Sequence, residues 1–138
     1  MTWQDTMKAI GGADIAFLSE DGEVLQFLIC ADPVLYQGKY KGNATKRIMA
    51  VIAIPDGITV AVLGMRAARR LTKYEDQFGT HVMEVIRHGA KGDVESSYDV
   101  RPIDDPELFA QLSAIKDREF SPEIVPELIK GAVEILSS

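Results

Sequence analysis

The chain has 138 residues, 46% hydrophobic and 26% charged, which suits one domain with a core of its own. No apolar run approaches the roughly 20 residues that span a bilayer, so no membrane segment is expected. The net charge of −6 argues against a generally polyanion-binding surface, yet it is unevenly spread: one basic and five acidic side chains over residues 1–31 (−4), eleven and eight over 32–101 (+3), three and eight over 102–138 (−5).

Cys30 is the only cysteine, so no internal disulfide can form and a reducing cytoplasm is the expected setting. One Cys with His81 and His88 cannot supply an ordinary four-ligand zinc site; neither metal nor cofactor is expected. Met1-Thr2-Trp3-Gln4-Asp5 lacks the basic start and apolar stretch of a signal peptide.

In chain order, Ala13-Asp14-Ile15-Ala16-Phe17-Leu18 reads as a short strand and Asp21-Gly22 as a hairpin turn. Residues 23–31 are apolar at nearly every position, the pattern of a strand buried on both faces, until Asp32-Pro33 breaks it. Residues 34–47, with their glycines and lysines, predict a long mobile loop or an exposed ribbon. The β-branched run 48–54, the turn Pro55-Asp56-Gly57 and residues 58–63 predict a tight hairpin. Met65, Ala68, Leu71, Tyr74 and Phe78 recur at spacings of three and four, which predicts a helix over 65–78 stopped by Gly79. Strands are expected over 82–87 and 94–101, joined by the loop His88-Gly89-Ala90-Lys91-Gly92-Asp93. Asp105-Pro106 opens a helix running towards Arg118, with an acid at the cap and proline at the first helical position. Ser121-Pro122 opens another that reaches about Leu136, with Pro126 leaving its start open.

Strand, long loop, hairpin, helix, strand, glycine loop, strand is the order of a five-stranded OB barrel. The expected fold class is therefore mainly β. A single OB-fold domain would have its barrel over about 13–102, a helix between strands 3 and 4, and two C-terminal helices as an extension over 103–138. Loops 34–47 and 88–93 would then flank the face on which OB folds hold oligonucleotides or oligosaccharides.

Binding a single strand requires cations that follow the phosphates and flat rings on which bases stack. Tyr36, Lys39, Tyr40 and Lys41 supply both within six residues, Lys46 and Arg47 extend the set, and Arg87 and Lys91 join it from the second loop. In an extended ribbon the two tyrosines share one side, with Lys39 and Lys41 on the other. Arg66, Arg69, Arg70 and Lys73 form a cationic helix face, read here as a solvated surface beneath the barrel. Tyr98 shares its strand face with Val94 and Val100 and is read as core. No phosphate loop or nucleophile elbow is present, so no catalytic residue is assigned and no enzyme is expected.

The hairpin Lys46-Arg47-Ile48-Met49-Ala50-Val51-Ile52-Ala53-Ile54, Asp56-Gly57 and Val60-Ala61-Val62-Leu63 resembles the central hairpin of phage-encoded single-stranded DNA-binding proteins. The likeness continues through Met83-Glu84-Val85-Ile86-Arg87-His88-Gly89-Ala90-Lys91-Gly92-Asp93 and Ser97-Tyr98-Asp99-Val100-Arg101-Pro102. It implies an OB fold that coats single-stranded DNA in phage replication, recombination or repair, in the host cytoplasm. RNA stays open as a ligand, as do replication or recombination proteins as partners and a homo-oligomeric state. The zinc-binding cysteine cluster of some relatives has no counterpart in residues 32–47, and where such relatives often carry a flexible acidic tail, residues 132–138 are expected to be helical and only mildly acidic. The competing expectation is a phage structural or protein-interaction module that uses the same barrel without nucleic acid.

Overall fold

The computed structural model describes residues 15–16, 22–40, 43–89 and 97–137. At its centre lies the hairpin of β4 (Asn43–Ile54) and β5 (Gly57–Gly64), paired antiparallel from Ile54↔Gly57 to Arg47↔Gly64. Gly57 has φ 131°, a region that side chains disfavour, so glycine is what lets this turn close. The short β1 (Ile15–Ala16) runs parallel to β5, and β2 (Val24–Ile29) meets the far end of β4 at Leu28↔Ala53 and Ile29↔Ile52. The first half of β2 turns away to pair with β6 (Val82–His88), which in turn pairs with β7 (Ser97–Ile103).

Of residues 34–47, expected as a long mobile loop or an exposed ribbon, 34–40 and 43–47 form a ribbon of paired strands. β3 (Val34–Tyr40) folds back on the start of β4 from Val34↔Met49 to Tyr40↔Asn43. The strand order is β1-β5-β4-β2-β6-β7, with β3 beside β4. The β-rich class holds, but the sheet is open and mainly antiparallel: among the described residues no pairing of β5 with β7 closes a five-stranded barrel. Pro102 agrees with an open edge, because a strand proline withholds one ladder donor and is confined to edges or bulges.

Among the described residues, three α-helices cover this sheet. α1 (Met65–Thr72) packs on β7, β4 and β5, lying across the gap between the two ends of the sheet. It is shorter than the period predicts: Thr72 Oγ1 donates to the Ala68 carbonyl at 2.9 Å, and Lys73 and Tyr74 donate back to Arg70 and Leu71, tightening the last turn. α2 (Pro106–Glu119) starts as expected, the Asp105 carboxylate accepting from the Leu108 N–H at 3.0 Å. A 3₁₀ turn at Pro122–Ile124 leads into α3 (Val125–Ser137), so Pro126 sits harmlessly in its first turn.

The alternation along β4 explains why helices stand on both sides. Ala50 and Ile52 join Phe27, Ala61, Leu63, Met83, Val85 and Val100 in a cluster closed by Ala67 and Leu71 of α1. Met49 and Val51 point the other way, with Val60 and Val62, onto Leu128 and Ala132 of α3. Ala53, Leu28 and Val82 meet Leu112 and Ile115 of α2. Each large aliphatic buried this way stabilises by about 1.5–3 kcal/mol. Against a total stability of about 5–15 kcal/mol, uncovering four such residues would be ruinous, so α3 completes the core.

Candidate functional site

Covering that second face has a consequence for ligands. The outward faces of β4 and β5 are where an OB fold would present its groove, and here they lie beneath α3. Tyr36 belongs to the same apolar cluster, half-buried, and its ring lies over Gly38: a Cβ built there would fall 2.5–2.8 Å from Tyr36 Oη, Cζ and Cε1. Its cross-strand neighbour Arg47 is half-buried and donates from Nη1 to the Lys46 carbonyl at 3.1 Å. Lys46 is exposed. Lys41 and Lys91 lie outside the described residues, as do the side chains of Lys39 and Tyr40. Of the expected binding set, the ribbon thus offers an exposed cation but commits its described tyrosine to packing.

A different group of cations converges. Ala67, Ala68 and Leu71 bury one side of α1, which turns Arg66, Arg69, Arg70 and Lys73 outward on the other. Because α1 packs on β7, these four side chains and Ser97 and Tyr98 line one cleft of about 360 Å³. Arg69, Arg70 and Lys73 form no ion pair with any described residue. Glu75 and Asp76, just beyond the helix, are exposed and do not engage them. With Arg66, which is also exposed, four cationic side chains lie within about two helical turns, or roughly 10 Å.

Tyr98 gives the cleft a ring. It is half-buried, and Arg87 Nη1 donates to its Oη at 2.6 Å, with the guanidinium carbon 5.6 Å from the ring centre. Arg87, expected to contact ligand, is only 8% exposed, and its Nε donates to the Gly89 carbonyl at 2.9 Å. On the other face of the same strand pair, His88 Nε2 and Asp99 Oδ2 lie 2.7 Å apart. Glu84, 6% exposed, accepts from Gln26 Nε2 at 2.7 Å and from Arg101 Nε at 2.8 Å, which neutralises Arg101 across three strands. Arg69, Arg70 and Lys73 have no such ion pair among the described residues.

The sequence contained the signal for this cleft. From Met65 to Lys73 there is no acidic residue, whereas a merely solvated helix face carries both signs as i, i+4 pairs. Tyr98, expected as core from its apolar period-two neighbours, packs against the core cluster while also lining the cleft.

A second concavity, of about 700 Å³, lies between α1, the β2–β3 turn and the α2–α3 elbow. Its walls are mainly apolar, with Ile29, Ile48, Leu71, Phe78 and Phe120 among them, and Asp32, Arg69, Glu75 and Lys116 bring charges of both signs. Cys30 also lines it; burial pushes its thiol up to about 11, partly opposed by the Lys116 ammonium. Among the described residues no three His, Cys, Asp or Glu side chains gather as metal ligands, and no helix is long and apolar enough to cross a membrane. Comparison with protein-family models, with curated proteins and with solved structures returns no match for this chain.

Proposed function

We propose that the chain binds single-stranded nucleic acid, without catalysis, in the cleft between α1 and β7. The observation that carries this reading is the convergence of Arg66, Arg69, Arg70 and Lys73 on Tyr98. Cations spaced along a helix follow a phosphate backbone, and a ring beside them stacks a base, so the two terms of single-strand binding meet in one place. Neither term reads sequence, and binding is therefore largely sequence-independent. Every acidic residue of α2, α3 and their connections is exposed, which repels polyanion from that part of the surface.

The fold assignment belongs to the same proposal. Strand β2 shared between β4 and β6, with a helix after the central hairpin, supports an OB-type arrangement left unclosed between β5 and β7 and bridged by α1. Together with the likeness to phage single-stranded DNA-binding proteins, it supports a coating role in replication, recombination or repair, with DNA as the ligand and RNA the comparison.

Fluorescence anisotropy of labelled oligo-dT tests the reading. Affinity is expected to fall with salt at about −0.7 in log–log slope per phosphate neutralised, hence near −3 if all four cations engage. A flat titration at low salt, with oligo-dT and oligo-U alike, would end the proposal. The competing reading, a protein-interaction module, is favoured by the 700 Å³ apolar concavity. It predicts no change in elution on size-exclusion chromatography when oligo-dT is added.

A further inference from the structure

The geometry points to Arg87 as a positioning residue that fixes Tyr98 for stacking and touches no phosphate itself, an inference that rests on the nucleic-acid reading of the cleft. Arg87 is the penultimate residue of β6, on the sheet face that carries α1, and at 8% exposure its guanidinium does not line the cleft. Two of its donors go to opposite stems of the connection between β6 and β7: Nε to the Gly89 carbonyl at 2.9 Å, Nη1 to Tyr98 Oη at 2.6 Å. Gly89 takes φ 104°, which turns the chain directly after His88. One planar group thus ties the first residue of the turn to the ring that faces Arg66, Arg69, Arg70 and Lys73. An arginine does this and a lysine does not, because the fork directs two donors at fixed angles.

Holding the ring removes an entropy cost that a base would otherwise meet on stacking. The consequence separates Arg87 from the exposed cations. A phosphate-contacting arginine contributes to the salt slope, whereas one acting through Tyr98 alters affinity equally at every ionic strength.

The test combines Arg87→Leu, Arg87→Lys, Tyr98→Phe and Tyr98→Ala with oligo-dT titrations at several salt concentrations. Arg87→Leu and Arg87→Lys are expected to weaken binding by up to about 5- to 150-fold, the equivalent of one stacked base, with the slope unchanged. Tyr98→Phe removes only the acceptor and is expected to reproduce the loss, and Arg87→Leu is expected to add nothing to Tyr98→Ala. A slope reduced by about 0.7, or full additivity with Tyr98→Ala, overturns the assignment. If Arg87→Leu fails to fold, Arg87→Lys and Tyr98→Phe decide it.

A measurement without ligand keeps the two claims apart. Three-bond NMR couplings are expected to show one Tyr98 χ1 rotamer in the parent and rotamer averaging in Arg87→Lys. A single rotamer in both overturns the positioning role whether or not DNA binds. Averaging in the variant, with no oligo-dT binding by the parent, upholds the latch and removes the nucleic-acid reading.

Discussion

The β3–β4 ribbon and the α1–β7 cleft hold nearly the same kinds of side chain and put them to different uses. Each combines lysine and arginine with tyrosine. In the ribbon, Tyr36 lies along Gly38 and packs on the cluster beneath α3, while Arg47 stays close to its own strand. In the cleft, four cations line one concavity with a ring that a buried arginine holds from behind. Composition is therefore a poor guide to a binding surface; what matters is whether rings and charges reach the same solvent-facing concavity.

Charge reversal gives the largest contrast. Arg69→Glu with Arg70→Glu replaces two of the cleft's cations by anions and is expected to cut oligo-dT affinity at least 100-fold at low salt. Lys46→Glu with Arg47→Glu changes the net charge by the same amount and is expected to cost less than about fivefold, through long-range repulsion alone. Equal losses in the two variants would show that total charge governs binding, and the distinction between cleft and ribbon would fall.

Tyrosine removal comes next in size. Tyr98→Ala is expected to weaken binding by about 1–3 kcal/mol without altering the salt slope. Tyr36→Ala is expected to leave affinity within about twofold and instead lower stability in urea by about 1–3 kcal/mol, since a half-buried ring leaves its cluster. Gly38→Ala displaces the same ring from the side and is expected to cost about 1–2 kcal/mol of stability, again sparing affinity. Binding lost in Tyr36→Ala at undiminished stability would return the site to the ribbon.

Local chemistry made parts of this fold legible from sequence: the Asp105-Pro106 cap, the Pro55-Asp56-Gly57 turn and the strand character of β2 match what formed, although β2 is fully buried only at Phe27 and Leu28. Residues 34–47 were harder, because glycine and lysine suppress the hydrophobic alternation by which a strand is recognised, and only pairing with β4 makes β3 regular. Barrel closure is non-local and element order does not determine it, although Pro102 in the last strand was a readable sign of an edge. The cationic stripe of α1 was visible, but its value depended on what faced it. That Ser97 and Tyr98 face it follows from the packing of α1 on β7, which no spacing in one dimension encodes.

Cys30 offers the smallest and most local probe of the two regions. It packs in the cluster shared with Tyr36 and also lines the concavity that Arg69 borders. Burial raises its thiol from 9.0 to about 11, so at pH 8 the native protein holds about a hundredfold fewer thiolates than the unfolded chain. Alkylation by a neutral reagent is expected to be slower by about that factor than in urea, and to quicken about tenfold per pH unit until pH nears 11. The sign for stability follows: the native state binds this proton more tightly, so its contribution is complete below pH 9 and is lost between about 9 and 11. Tyr36→Ala, which loosens the cluster, is expected to speed native labelling several-fold. Arg69→Ala, on the cleft side, is expected to leave it within about twofold, because an exposed guanidinium contributes little to desolvating the partly buried thiol. Faster labelling in both variants would mean that the two regions open together, and that the ribbon is less independent of the cleft than their separate packing implies.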